Sequence, residues 1–303
     1  MYDIIGDIHG HAKELKQLLD KLGYESKKGL YQHEHRRAIF VGDLINRGTE
    51  SKEVLEIVRP MVMSGFAKAI LGNHELNLMA FYCMDDFNKP LYNHSIRNIM
   101  QLYPVLESFK NAEAEMHEYI DWMFSLPLFI ELEDFRVVHA CWHQDSIDFV
   151  RKHFPQRRFN RELLIKAFQS RGAEYKAVNL LVKGLEIALP KNKNAIDADS
   201  ARRGYMRVKW WEDHKGKTYK QISAQSKSNP PNYKIPDNLI NIDVAYSGDA
   251  PPVFIGHYSL NTLPVLLKSN ICCLDFDVVK THRITAYRWN GETKLERKNF
   301  IQN

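Results

Sequence analysis

A layered α/β protein is what this sequence predicts, and three observations carry the expectation. Short runs of Ile, Val and Phe recur at strand length, helical patterns separate the early runs, and a polar or charged residue follows several of them. The first run, Tyr2 to Ile5, reads as a buried strand. After it, Ala12, Leu15, Leu18, Leu19 and Leu22 fall on one helical face, and Gly23 stands where a left-handed C-terminal residue closes a helix. A second strand is expected over Ala38 to Val41, then a helix beginning after Thr49 or Ser51 with Val54, Leu55 and Val58 turned inward, then a strand over Ala67 to Leu71. This β-α-β-α-β opening excludes an all-α or all-β fold.

From Glu75 to Ser125 and from Ile147 to Leu189 the pattern turns helical, with Leu78, Phe81 and Tyr82 and then Leu163, Leu164 and Phe168 as apolar stripes that core packing accounts for. Four further strands are expected at Phe135 to Val138, Val253 to Ile255, Ile271 to Leu274 and Ile284 to Trp289. Between them, residues Glu212 to Asp237 are polar and basic and carry Pro230, Pro231 and Pro236, which predicts a long surface excursion. No internal repeat is visible.

Composition narrows the class. With 303 residues, 44% of them hydrophobic, 26% charged and 11% aromatic, the chain is of ordinary globular make-up, and disordered or fibrous classes are excluded. The net charge of +5 fits phosphate-bearing partners without requiring nucleic acid. Cys83, Cys141, Cys272 and Cys273 form no CxxC pair, so neither a zinc ribbon nor a disulfide framework is expected. The N-terminus has no basic segment ahead of an apolar one, and no apolar stretch approaches the roughly 20 residues of a spanning helix, so a soluble, cytoplasmic protein without a membrane partner is expected.

The chemistry gathers where the strands stop. Gly6-Asp7-Ile8-His9-Gly10 ends the first run, Gly42-Asp43 the second, Gly72-Asn73-His74-Glu75 the third, His139 the fourth and Gly256-His257 another. This is the edge at which open α/β sheets collect their ligands. Carboxylate, amide oxygen and imidazole together suit borderline divalent ions such as Mn, Fe or Zn better than Mg or Ca. Asp7 and His9, two apart on extended backbone, can hold one ion; Asn73, His139 and His257 can hold a second, with Asp43 bridging both. Glycine ahead of Asp7, Asp43, Asn73 and His257 suits close backbone approach and unusual dihedral angles. Two such ions would generate hydroxide near neutral pH and clamp a phosphoryl group for in-line attack, which points to phosphoester hydrolysis. Arg47 can then bind the phosphoryl oxygens and His74 can protonate the leaving oxygen.

The ordered set GDIHG at 6 to 10, GDLINRG at 42 to 48, GNHE at 72 to 75, VVHA at 137 to 140 and GHY at 256 to 258 resembles the calcineurin-like metallophosphoesterases. The NRG after GDL is similar to the phosphoprotein phosphatase branch, which includes serine/threonine phosphatases and bacterial symmetrical diadenosine tetraphosphate hydrolases. GNHELNLMAF at 72 to 81, the segment from Trp122 to Ala140, and LDFDVV followed by RITAYRWNGE near the end resemble the latter group. The resemblance implies a four-layer αββα sandwich, two mixed sheets flanked by helices, as one catalytic domain over 1–303 with insertions at 76–125 and 144–250. It implies two divalent ions, with Mn the one expected to support activity in vitro, held by Asp7, His9, Asp43, Asn73, His139 and His257. It also implies a general acid at His74 and phosphate binding by Arg47.

Two departures from the family pattern bear on the chemistry. Asn46 stands where the protein phosphatases carry Asp, so a neutral amide replaces the charge that would raise the pKa of His74; a phosphoanhydride, whose leaving group needs less protonation, suits this site better than an alkoxide ester. Cys141-Trp142-His143 replaces the small residue usual after HA, which would let His143 face the site. The resemblance also implies a second phosphate-binding arginine between the His139 and His257 motifs, for which Arg202, Arg203 and Arg207 are the candidates, with Arg203 favoured because Gly204 permits a tight turn. The basic run Arg151, Lys152, Arg157, Arg158 and Arg161 reads as a helix surface, and Asp275 and Asp277 as neighbours of the site rather than ligands. The expected substrate is therefore a dinucleoside polyphosphate or a similar phosphoanhydride. The rivals are a phosphoprotein (Ser, Thr or Tyr) or an RNA end at the same metal centre, and, from another class, a non-catalytic nucleic-acid-binding protein, against which all six ligands stand in place.

Overall fold

The computed structural model describes residues 1–169, 172–190, 195–196, 202–224, 230–236, 238–240 and 242–303, with backbone alone at 169, 195, 196, 202 and 203. Two mixed sheets organise it. The first contains Tyr2–Ile5 (β1), Arg37–Phe40 (β2), Ala67–Ala69 (β3), Thr285–Trp289 (β8) and Phe300–Gln302 (β9), in the order β9-β8-β1-β2-β3. The second contains Phe129–Glu131 (β4), Arg136–Val138 (β5), Val253–Ile255 (β6) and Ile271–Cys273 (β7), in the order β7-β6-β5-β4. β1, β2 and β3 run parallel, as do β5, β6 and β7, while β8 and β4 join their neighbours antiparallel.

Alternation along the strands shows why the runs read as continuously apolar. Ile4, Ile39, Val137, Phe254 and Cys272 share one cluster between the sheets, whereas their neighbours Ile5, Phe40, Val138, Val253, Ile255 and Cys273 belong to the larger cluster formed with the helices. Both faces of each sheet are covered, so an inward residue stands on either side of the pleat. That burial gives the αββα layering.

Ala12–Leu22 (α1) ends as expected on Gly23 in the left-handed region, and its first amides donate to Glu50 Oε2, at 2.8 Å from Ala12 and 3.2 Å from Lys13. Ser51–Met63 (α2) buries Val54, Leu55 and Val58. The helical middle comprises Asn73–Tyr82 (α3), Ile96–Ser108 (α4), Glu113–Phe124 (α5), Gln144–His153 (α6), Arg161–Gln169 (α7) and Ala173–Lys183 (α8). No helix among the described residues is long and apolar enough to cross a membrane.

The stretch 212–237 departs from the expected surface excursion. Its described part carries a helical turn at Tyr219–Ile222, opened by a reciprocal Thr218–Gln221 cap, and buries Tyr219, Ile222 and Ile235. These apolar residues are too widely spaced among charges to produce a periodic signal. Just upstream, Trp210 is fully buried and its indole donates to the carbonyl of Ala140 at 2.9 Å, which docks the segment on the loop after β5. In the basic run, Arg151 pairs with Glu131 and Asp148, Arg157 lies over the Phe129 ring and Arg161 donates to the Met84 carbonyl, so these three have structural partners.

Candidate metal centre

Five strand ends meet at one buried site. β1 delivers Asp7 and His9, β2 Asp43, β3 Asn73 at the start of α3, β5 His139 and β6 His257; all six side chains are buried. His9 Nε2 lies 3.7 Å from Asp7 Oδ2 and 3.7 Å from Asp43 Oδ2. On the other side of Asp43, His139 Nε2 lies 3.3 Å from Asp43 Oδ1 and 3.3 Å from Asn73 Oδ1, which is also 2.8 Å from His257 Nδ1. Two ligand triads result, His9-Asp43-His74 and Asp43-His139-His257, each with its ligand atoms within 4.8 Å of one another. Asp43 belongs to both, the arrangement expected of a bridging carboxylate.

The chain aims these groups with its own backbone. His139 Nδ1 is 2.7 Å from the Val41 carbonyl and His9 Nδ1 is 3.3 Å from that of Ile45. A carbonyl only accepts, so each Nδ1 carries a proton and Nε2 is the nitrogen left to ligate a cation lying between the ring and the carboxylates. Strain is concentrated here. His9, Asp43, Asn46, Arg47 and His257 all have positive φ, at 46°, 50°, 72°, 66° and 71°. Such geometry costs of order 1–3 kcal/mol per residue. Of the preceding glycines only Gly42 is in the left-handed region, at φ 94°, whereas close approach explains the others: a Cβ at Gly6 would strike the Leu274 carbonyl, one at Gly72 the Asp43 carboxylate and one at Gly256 the Asp7 carboxylate.

Glu75 is the functional residue that motif reasoning left without a role. Its Oε2 accepts from the amides of Asp43 at 2.8 Å and Gly72 at 3.0 Å, and its Oε1 from Leu44 at 2.8 Å and Ile45 at 3.2 Å. A glutamate at the third position of a helix commonly reaches back to the residue before it, and this signal was present in GNHE. Here the same carboxylate also fastens the Asp43 loop to the start of α3.

Electrostatics favour cation binding. Burial and the nearby Asp275 and Asp43 carboxylates push Asp7 well above the usual carboxylate range. Burial acts to raise Asp43 too, but the His139 and His74 imidazoles outweigh it and hold Asp43 well below that range. His9 is pushed down by burial and the Arg47 charge, and His257 by burial and Arg207, so both rings remain neutral and able to ligate. His139 is different, for although burial lowers it, the Asp43 charge raises it overall. Glu75 is pushed up to about 7 by burial and the Asp43 charge. Asp7 Oδ1 and His257 Nε2 are buried without a hydrogen-bond partner among the described residues. Carboxylate and imidazole atoms left in this state fit divalent ions of the Mn, Fe or Zn type.

A cleft opens on this centre, and Arg47, Asn73, His74, Arg207 and His257 line its inner part. His74 donates its backbone amide to Asp43 Oδ1 at 3.0 Å, and its ring meets that of His9 edge-on with centroids 4.8 Å apart. Arg207, from the strand Tyr205–Arg207, is the arginine the structure brings here; its Nη1 donates to the His257 carbonyl at 3.1 Å and its Nε lies 3.9 Å from Glu186 Oε1. The side chains of Arg202 and Arg203 lie outside the described residues. Asn46 is fully buried with both amide atoms unpartnered among the described residues. His143 does not line the cleft. It caps α6, its Nδ1 3.2 Å from the Ser146 amide and 2.8 Å from the Ser146 hydroxyl. Asp275 accepts from the Ser259 amide at 2.6 Å and from the Asp277 amide at 3.1 Å, a loop-holding role consistent with its placement beside the site.

Residues 2–182 match the family model for calcineurin-like phosphoesterases. Curated relatives include a protein of Oceanobacillus iheyensis named bis(5'-nucleosyl)-tetraphosphatase PrpE [asymmetrical], 37% identical over 139 residues, which are 46% of this chain and 54% of that one. A protein of Bacillus cereus with the same name is 35% identical over 150 residues, 48% of this chain and 59% of its own. The chain thus spans between half and two thirds of the length of these relatives. Among solved structures, a serine/threonine phosphatase from Saccharomyces cerevisiae superposes with a TM-score of 0.47 at 17% identity, over 100% of this chain and 78% of that one.

Proposed function

The chain belongs to the calcineurin-like phosphoesterases, and from that premise we propose that it is a metal-dependent hydrolase of a phosphoanhydride, with a dinucleoside polyphosphate as substrate. The observation that carries this reading is Asp43, shared by two buried ligand triads beneath a cleft that also presents Arg47 and Arg207. Asp7, His9 and Asp43 would hold one divalent ion, and Asp43, Asn73, His139 and His257 the other. The donor set suits Mn, Fe or Zn, with Mn the ion to supply in vitro. When bound, such ions supply a nucleophile at neutral pH and positive charge for the phosphoryl oxygens.

The remaining work falls to the chain's own side chains. Arg47 and Arg207 present guanidinium groups to phosphoryl oxygens, and their fixed fork favours bidentate contact. Arg207 is held for this by its bond to the His257 carbonyl and by Glu186. His74, beside Asn73, would give a proton to the leaving oxygen, and its Nε2 lies 3.9 Å from Asp43 Oδ2. Neutral Asn46 adds no charge to this donor. That suits a phosphate leaving group, which departs with less protonation than an alkoxide.

The relatives' names specify asymmetrical cleavage, where the sequence motifs resemble the symmetrical enzymes. We adopt the asymmetrical reading for this chain. Incubation with diadenosine tetraphosphate and Mn should release ATP and AMP. Two molecules of ADP would keep the substrate class and overturn the cleavage position, whereas phosphate release from phosphopeptides with the tetraphosphate untouched would overturn the substrate class.

A further inference from the structure

The cleft does not end at the metal centre. Beyond it the walls come from two inserted helices: the approach to α4 and its first turns contribute Tyr92, Arg97, Asn98 and Gln101, and α8 contributes Tyr175, Asn179 and Lys183. These walls are built. Tyr92 is tied back by its amide to the Ala80 carbonyl at 3.0 Å and by its hydroxyl to Gln101 Oε1 at 2.8 Å. The segment leading into α4 is held where the His94 ring stacks on Phe81 with centroids 3.9 Å apart, and the Asn98 side-chain Nδ2 donates to the Asn93 carbonyl at 2.9 Å. α8 is fixed to the site by the bond from the Ala140 amide to the Leu181 carbonyl at 2.8 Å.

The charges on these walls differ in how they are explained. Lys183 closes α8, where the helix dipole favours a cation. Arg97 occupies the first turn of α4, where the same dipole disfavours one, and no acidic residue shares that turn. Local helix electrostatics therefore give no reason for Arg97, whereas an anion in the cleft does. With Arg47 and Arg207 at the inner end, Arg97 and Lys183 extend the positive lining away from the metal centre. Among the described residues that line the cleft Glu186 is the one acidic residue, and it is within 3.9 Å of Arg207. A single phosphoryl group would engage the inner pair only. A chain of phosphates would reach the outer one, and Tyr92 and Tyr175, which also line the cleft, offer aromatic surface to a base.

We infer that Arg97, with Lys183, forms an outer phosphate subsite that selects nucleoside polyphosphates by holding the phosphates of the leaving nucleotide. This rests on the phosphoanhydride reading above and assigns it a specificity-determining residue outside the matched motifs.

Titration calorimetry on the full-length, metal-free protein tests this without turnover, with ADP and inorganic phosphate as probes. The unaltered protein should bind ADP more tightly than phosphate. Arg97→Ala should weaken ADP by about tenfold, the loss of one charge-assisted contact, and weaken phosphate by under about threefold. Arg97→Lys should recover most of the loss, and Lys183→Ala should act in the same direction as Arg97→Ala. Equal losses for the two probes, unchanged ADP binding in Arg97→Ala, or ADP binding no tighter than phosphate in the unaltered protein would each overturn the subsite. If the expected pattern holds while diadenosine tetraphosphate is not cleaved, the reaction fails and the subsite stands. If the tetraphosphate is cleaved and Arg97→Ala titrates as the unaltered protein does, the subsite alone is wrong.

Discussion

His74 is a candidate ligand by distance and a candidate acid by position, since it joins His9 and Asp43 in one triad and also faces the cleft. If it is the acid, His74→Asn should lower kcat by about 10²–10⁴-fold on a poor leaving group and keep the full metal content. Loss of one ion by elemental analysis would make it a ligand instead. Protonation of His257 offers a second test. Burial and Arg207 hold this imidazole well below its usual range in the folded protein, while the unfolded chain takes up the proton near pH 6.5. Below that pH the unfolded state binds more protons, so the stability this group contributes above pH 6.5 is lost as pH falls toward its folded-state pKa. In metal-free protein, denaturant midpoints should show His257→Asn losing stability less steeply with falling pH, by up to about 1.4 kcal/mol per pH unit. Parallel curves would mean that His257 is not depressed. The six expected ligands were legible because each follows an apolar run, and the structure brings all six together. Arg207 was not separable from Arg203 in the sequence, because the pairing of Tyr205–Arg207 with Glu186–Ala188 is what points its side chain at His257, and one-dimensional spacing does not encode that register.

Elements carry the site through their ends. α3 begins where β3 has stopped, and Glu75 in its first turn accepts four backbone amides, three of them from the loop that holds Asp43, Leu44 and Ile45. A glutamine keeps the shape but turns a donor toward one of these pairs of amides. Glu75→Gln should therefore cost about 1–3 kcal/mol by chemical denaturation and weaken metal binding at the same time, because the Asp43 loop loses its anchor. Unchanged metal affinity in a destabilised variant would confine Glu75 to a purely structural role. The early strands and helices were legible element by element, since α1 and α2 are amphipathic and β1, β2 and β6 are bounded by glycine. The burial of Tyr219, Ile222 and Ile235 was not, because it depends on docking against distant residues rather than on any periodic pattern.

At the scale of the molecule, the centre ties together segments from Asp7 to His257. β8 pairs with β1, and β6 lies between β5 and β7, so the C-terminal strands complete both sheets and neither half keeps its ligands alone. A cut of the chain into two halves would therefore divide the site. Ions held by such dispersed residues bind the folded chain and not the unfolded one, so their affinity appears as stability. At a free concentration a hundredfold above Kd, one ion should add about 2.7 kcal/mol, or a Tm rise of roughly 5 °C for a chain of this size. The two-centre arrangement makes a sharper claim about where that rise originates. His9→Asn and His257→Asn each alter one triad and should retain part of the Mn-dependent shift, measured against each variant's own chelated Tm. Asp43→Asn alters both triads and should lose nearly all of it. A full shift in Asp43→Asn would show that the two triads do not share their carboxylate as a ligand, and would place the stabilising ion elsewhere in the molecule.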